Sequence, residues 1–447
     1  SVSIIICFSS SVFQSVVVGI IICFSMTTLA LSLSLGCNPE LYEQQHAYSP
    51  ILAGSAPLML LPQDRGDESP ACLDGSQYGF YFVPSKTGST KWTINIHGGG
   101  WCYDEVDCLC RSKMRLGTSK VLPKTGGCPC MNPNADGSMD IDCNCIDMPY
   151  SDGASFSGYR AAPWVVPGTN GSTIMFRGIK NFDGVVDFAF KHGLSNATEF
   201  VLTGGSAGGL STFLHADRVA ARLKKEAPQC NKIRAAPFVG YFLDHDNFKH
   251  TTGFPGGPNT PTWATPGKGA NYTTWIKYIF TMQNLTFGTD GGLMKACAEK
   301  HTAQPWLCFM SPHMQDSIST PFFMFNSKYD AWQLANEFQS GWYTKKEQAG
   351  VLQYGNDFMA QLAPVYTGKE LKNGGMITSC ICHGCPWGDL VLEGKTSFEH
   401  FADWYFDRTS GAASMHIDTR LPNGGGTLSR KFSQCQYFPD IPSMHVR

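Results

Sequence analysis

Glu199-Phe-Val-Leu-Thr-Gly-Gly-Ser206-Ala-Gly-Gly-Leu-Ser-Thr-Phe-Leu214 passes from a short apolar run, through a cluster of small residues, into a helix-forming stretch. Glu199–Thr203 is rich in residues that favour strands. Leu210, Phe213, Leu214, Val219, Ala220 and Leu223 recur at helical spacing up to Glu226, and the stretch ends on the basic pair Lys224-Lys225. Between them lies Gly204-Gly205-Ser206-Ala207-Gly208, a G-x-S-x-G. A strand-to-helix turn this tight excludes bulky flanking side chains and lifts the Ser206 hydroxyl above a sheet, at a helix N-terminus. Backbone amides there can stabilise a developing oxyanion. A glycine-rich turn with an ordinary capping serine is the simpler alternative. The flanking strand and helix favour a nucleophile.

About one hundred residues earlier, His97-Gly98-Gly99-Gly100-Trp101 follows the strand-like Trp92–Ile96. Glycines after an early strand let backbone N–H groups turn into one cavity, and HGGG-type loops supply half of an oxyanion hole in esterases. Standing alone, such glycines would read as a flexible loop.

A serine nucleophile needs a base, and the base needs an orienting carboxylate, here expected in the order Ser, acid, His. Asp330 follows the strand-like Pro321–Asn326, and His383 follows the apolar-leaning Met376–Cys382. Asp290 and Asp316 compete as acids, and His313, His400 and His416 as bases. Asp330 and His383 are preferred because each follows a strand-like run.

Further strands are expected at Gly79–Val83 and Thr173–Phe176, and a helix over Phe182–His192 with Asn181 at its cap position. Alternating strands and helices predict an α/β class, a mostly parallel sheet covered by helices. Residues 103–149 break the rhythm with Gly, Pro, Asp and Cys, and read as a surface insertion. Residues 250–272 read as a loop.

The chain has 447 residues, 43% of them hydrophobic, which excludes global disorder. Lys and Arg (34) nearly balance Asp and Glu (36), with no long basic run, so nucleic-acid binding is not expected. Eighteen cysteines point to an oxidising compartment or to metal. Six form Cys108/Cys110, Cys128/Cys130 and Cys143/Cys145, and three more form Cys380-Ile-Cys382-His-Gly-Cys385. Zinc sites prefer two to four intervening residues, so a disulfide framework is favoured over metal.

Residues 1–36 carry no charge and hold three apolar runs, which reads as a signal peptide with a cleavage zone near Ser34 and Gly36, or as a signal anchor. The reading continues with an N-terminal extension at 37–70 and a catalytic domain at 71–447. Asn170, Asn196, Asn271 and Asn284 head N-x-[ST] sequons, in keeping with export.

From Ala71 to Trp404 the chain resembles the pectin acetylesterase family, which includes Notum-like carboxylesterases. The resemblance rests on Cys72-Leu-Asp-Gly-Ser76, Gly98-Gly-Gly-Trp-Cys102, Tyr150-Ser-Asp-Gly-Ala-Ser-Phe-Ser-Gly158, Phe176-Arg-Gly178, Gly205-Ser-Ala-Gly-Gly209, Tyr329-Asp-Ala-Trp-Gln333 and Cys382-His383. It also takes in Trp387 and the stretch from Glu393-Gly-Lys-Thr-Ser397 to Trp404. It implies an α/β-hydrolase-like fold with Ser206 as nucleophile, His383 as base, Asp330 as orienting acid, and oxyanion amides at Gly99, Gly100 and Ala207. Family members usually carry Glu at the position of His97, and plant members Cys at that of Gly205. The Cys-rich insertion is a third departure.

The expectation is a secreted, monomeric serine carboxylesterase without cofactor or metal. Its substrate would be an acetylated polysaccharide such as pectin or another acylated molecule. Alternatives are a Notum-like deacylase of a lipid-modified protein, a non-catalytic binding protein on the same fold, and a Cys/His zinc protein.

Overall fold

A computed structural model describes residues 51–245, 272–288, 291–337, 345–367 and 372–420. The leader read at 1–36, Asn271, Asp290 and nearly all of the loop read at 250–272 lie outside them.

In chain order the strands are β1 (Ala56–Leu60), β2 (Gly79–Val83), β3 (Lys91–Ile96), β4 (Thr125–Gly126), β5 (Asn144–Met148), β6 (Trp164–Val165), β7 (Thr173–Ile174), β8 (Glu199–Gly205) and β9 (Lys232–Phe238). Beyond these come β10 (Phe323–Asp330), β11 (Gly374–Cys382), β12 (Val391–Leu392), β13 (Lys395–Thr396) and β14 (Met415–Ile417). The helices are α1 (Glu105–Arg111), α2 (Gly178–Lys191), α3 (Ala207–Glu226), α4 (Tyr272–Met282), α5 (Lys295–Lys300), α6 (Ser311–Met314), α7 (Ala331–Glu337), α8 (Lys345–Thr367) and α9 (Ser397–Tyr405).

Ten strands form one sheet in the order β14-β11-β10-β9-β8-β3-β5-β2-β1-β4. From β14 to β5 every pairing is parallel, and β2, β1 and β4 add an antiparallel edge. This is the expected α/β arrangement. Parallel strands are linked by crossovers that cover both faces, which explains why every residue of β10 and of β11 is buried. β8 sits mid-sheet, and its Glu199–Gly205 register runs beside Lys91–Ile96 of β3 and Lys232–Phe238 of β9. The ends of all three strands therefore meet where Ser206 begins the next turn.

Several expectations need correction. Residues 103–149 are not wholly a surface insertion, because β5 lies inside the sheet between β3 and β2. Its Cys and Asp residues hide the strand pattern in the sequence. Thr173–Phe176 supplies only the two-residue β7, paired with β6 outside the main sheet. α2 starts at Gly178, not after Asn181. Asn181 is buried within it, and its side chain both accepts from Ala71 N–H (2.8 Å) and donates to Ala71 O (2.9 Å). β1 falls within the stretch read as an N-terminal extension and pairs with β2.

The cysteine-rich segment is held by disulfides, as favoured over metal. Cys128–Cys145 and Cys130–Cys143 form two nested bridges that tie residues 128–130 to β5, and Cys102–Cys108 closes the loop before α1. Cys297–Cys308 and Cys382–Cys385 complete the bridges with both partners described. Cys72 and Cys230 are buried free thiols. Removing both nested bridges by four Cys→Ser substitutions should destabilise the fold by about 2–4 kcal/mol, from the usual worth of loops this size. Removing only Cys128–Cys145 should cost far less, since the inner bridge still closes nearly the same loop. The midpoints of urea unfolding test this ordering.

Candidate active site

The turn after β8 places Ser206 at φ 59° and ψ −126°, a strained conformation for a residue with a side chain. Its amide donates to Phe238 O of the neighbouring strand at 2.9 Å, which fixes the turn to the sheet. Small neighbours are a geometric need. A Cβ on Gly208 would run into the carbonyls of Ile96 and His97, and one on Gly98 would sit 2.6 Å from Ser206 Cβ and 3.1 Å from Ala207 N. The loop after β3 therefore lies directly against the Ser206 turn. α3 begins at Ala207, so its first amides and the positive end of its dipole face the same place.

The glycine loop is braced from behind by Arg111. This guanidinium is fully buried, with Nη1 donating to Gly99 O (2.5 Å) and Nη2 to Trp101 O (2.8 Å). Asp107, one helical turn earlier, accepts from Arg111 Nε at 3.4 Å and from Tyr103 N–H at 2.9 Å. In a trans peptide a carbonyl and the following N–H point in opposite directions. Holding Gly99 O thus turns the Gly100 N–H to the other side of the loop, and Gly100 itself has a φ of +63°. The sequence reading missed Arg111. Its only signal was an Asp at i−4 in a cysteine-rich stretch.

His97 opens the glycine loop. Its Nε2 lies 2.8 Å from both carboxylate oxygens of Asp147 on β5, which also accepts from Asn95. Asp147 is fully buried, so the pair fastens the start of the loop to the sheet.

Asp330 and His383 come to Ser206 from adjacent strands. β10 and β11 shift register between Ser327 and Tyr329, just before Asp330, and such irregularities re-aim the side chains that follow. Asp330 Oδ2 lies 2.7 Å from His383 Nδ1, and His383 Nε2 lies 2.8 Å from Ser206 Oγ. Asp330 is buried, and its other oxygen accepts the Gln333 N–H at the start of α7 (2.9 Å). The Cys382–Cys385 bridge closes a four-residue loop around His383. A proton held on Nδ1 by the carboxylate leaves an Nε2 lone pair facing the hydroxyl, the geometry needed to deprotonate it.

A second turn supports the glycine loop. Cys102 N–H donates to Gly153 O (3.0 Å) and Trp101 Nε1 to Ser155 Oγ (2.8 Å). Ser155 and Phe156 both take positive φ, 52° and 57°. Asp152 holds this strained turn by accepting from Ala154 N–H (3.1 Å) and Phe156 N–H (2.8 Å). Burial pushes its carboxyl up to about 7, against the lowering effect of those two N–H groups.

Trp101, Phe242 and Trp332 line the place beside His383. Their rings pack at 4.9, 5.3 and 5.4 Å between centroids, and His383 lies 6.2 Å from both Phe242 and Trp332.

The rival candidates lie elsewhere. His313 pairs with Asp244 (2.8 Å), Asp316 is exposed in a short turn, and His400 stacks on His416 at 3.6 Å. Of the sequons, Asn170, Asn196 and Asn284 are exposed.

A profile of the Pectinacetylesterase family matches residues 54–426. The chain belongs to the pectinacetylesterase family. It is a carboxylic ester hydrolase. It is 29% identical to Pectin acetylesterase 11 of Arabidopsis thaliana over 76% of this chain and 85% of that protein. It is 26% identical to the human palmitoleoyl-protein carboxylesterase NOTUM over 60% of this chain and 50% of that protein. The structure of the Wnt deacylase Notum from Drosophila superposes with a TM-score of 0.67 at 22% identity, covering 83% of this chain and 98% of that one. This last likeness is one of fold.

Two outcomes follow for the loop and its supporting turn. Arg111→Lys keeps the charge but loses the forked grip on two carbonyls. It should lower kcat for a small ester about 10- to 100-fold with KM little changed, below the ~10²–10³-fold cost of removing an oxyanion donor outright. Steady-state kinetics check this, with circular dichroism to confirm folding. For Asp152 the folded carboxyl titrates near 7, above the usual unfolded value of about 3.9. Between those pH values the unfolded chain has lost a proton that the native state keeps, so raising pH lowers stability. The gap caps that effect at roughly 4 kcal/mol. Asp152→Asn should therefore gain stability relative to the parent as pH rises from 4 to 7, measured by urea unfolding at each pH.

Proposed function

We propose that the chain is an extracellular serine esterase that removes acetyl groups from pectin or a similar polysaccharide. The observation that carries the mechanism is the unbroken hydrogen-bonded path Asp330–His383–Ser206. Ser206 Oγ attacks the ester carbonyl while His383 Nε2 takes its proton. The tetrahedral oxyanion is held by N–H groups of Gly99, Gly100 and Ala207. Collapse expels the sugar hydroxyl, which receives its proton from His383, and leaves an acyl-enzyme. A water then gives its proton to His383 and attacks the acyl carbonyl. Breakdown frees the carboxylic acid and returns the proton to Ser206.

Support for a short acyl group comes from the curated relatives named as pectin acetylesterases, several of which align over about three quarters of this chain. The five disulfides described in full support an oxidising, extracellular location, and among the described residues no helix is long and apolar enough to cross a membrane. The catalytic unit would start near residue 54, where β1 joins the sheet, and act as a monomer.

Hydrolysis of p-nitrophenyl acetate by the parent and by Ser206→Ala tests the mechanism. The variant should lose at least about 10⁴-fold in kcat, and equal rates would sink it. In the same assay acetate should exceed octanoate and palmitoleate in kcat/KM. A preference for the long chains would replace the polysaccharide reading with protein deacylation.

A further inference from the structure

Glu393, His400 and His416 come together from three segments that the hydrolytic site does not use. Glu393 lies in the two-residue turn between β12 and β13, His400 on α9, and His416 on β14 at the sheet edge. One ligand-capable atom from each side chain lies within 4.8 Å of those of the other two. His400 is 3% exposed and His416 7%, and their rings stack at 3.6 Å with 27° between planes.

Each imidazole has one nitrogen already committed to oxygen. His400 Nε2 lies 2.8 Å from Leu392 O, and His416 Nδ1 lies 2.8 Å from Glu393 Oε2. His416 Nδ1 and Glu393 Oε2 share one proton, and a cation can take that proton's place with both atoms as ligands. His400 keeps Nε2 on the Leu392 carbonyl and offers Nδ1, the arrangement of a metal-bound histidine whose other nitrogen is held by a carbonyl.

The turn adds weight. Glu393 and Gly394 both take positive φ, 53° and 85°. Asn, Asp or Gly usually fills the first of these positions in a two-residue hairpin. Here a long carboxylate occupies it and reaches His416. The nearby Lys395 ammonium is engaged by Asp403 at 2.5 Å.

We propose that Glu393, His400 and His416 form a binding site for a first-row divalent cation, with zinc the ion that best suits the donor set. Two imidazoles and one carboxylate favour zinc over calcium or magnesium, which prefer oxygen ligands. Three protein ligands leave the fourth tetrahedral position to water. Zinc holds its ligands at about 2.0–2.2 Å, so the donor atoms must draw inward from the 4.8 Å limit, and exposed Glu393 has the freedom to do so. The ion would pin the β12–β13 turn to α9 and to the edge strand. That turn follows the His383 loop by only a few residues, so the cross-link would stiffen the segment leading out of the active site.

The test uses the full chain, stripped with chelator and titrated with zinc chloride by calorimetry. Expected are one zinc per chain at this site and a higher thermal midpoint. Loss of an outer-sphere partner alone weakens metal binding about 10–100-fold. His400→Gln and His416→Gln should therefore weaken zinc by at least about 100-fold, and Glu393→Gln by at least about 10-fold. Cobalt(II) should give a visible absorption band that these variants lose. Glu393 is exposed, so Glu393→Gln keeps the test sound if the histidine variants misfold. No zinc uptake by the parent, or equal affinity in parent and Glu393→Gln, would overturn the proposal.

Discussion

Everything at the active site depends on three backbones meeting without side chains between them. The end of β3, the β8–α3 turn and the end of β9 converge at Ser206. A Cβ on Gly209 would strike Phe238 O, and one on Gly208 would strike Ile96 O. The helix can then start immediately after the strand, with Ser206 at its N-terminus. The strain at Ser206 is tolerable because Phe238 O and the helix behind it hold the turn from both sides. A single methyl group at either glycine would push α3 off the sheet and carry the hydroxyl away from His383.

The other side of the site is held by buried polar groups in addition to the packing of Trp101. Arg111, Asp147 and Asp152 are each buried, and each aligns backbone or side-chain groups of the glycine loop or its supporting turn. Burying such groups is costly unless they are bonded, so they favour one arrangement of the loop over its neighbours. Preorganisation of this kind is what an oxyanion site requires, because donors that must reorient during reaction contribute less.

How much of this could be read from the sequence depended on the local signal. β8, β3 and α3 were legible because apolar runs and helical spacing flank small residues that cannot serve any other purpose well. Asp330 and His383 each follow a strand-like run, and the structure places both beside Ser206. β9 was not legible, since Lys232, Arg234 and Pro237 interrupt its apolar pattern, and β5 was masked by its cysteine and aspartate. Asn181 looked like a cap because caps and buried backbone clamps use the same side chain. Arg111 and Asp152 act through contacts with residues 10–12 and 2–4 positions away, in folded turns whose shape no periodicity announces.

Among the described residues two cysteines are unbridged, and they bear on how the bridges are kept. Burial raises the Cys72 thiol above its ordinary range and the Cys230 thiol to about 11. Only thiolate attacks a disulfide, and near neutral pH a thiol titrating at 11 is ionised on the order of one part in ten thousand. Attack on the bridges by either of these two thiols would first require the chain to open and expose the sulfur, so the intact fold itself guards the pairing against them.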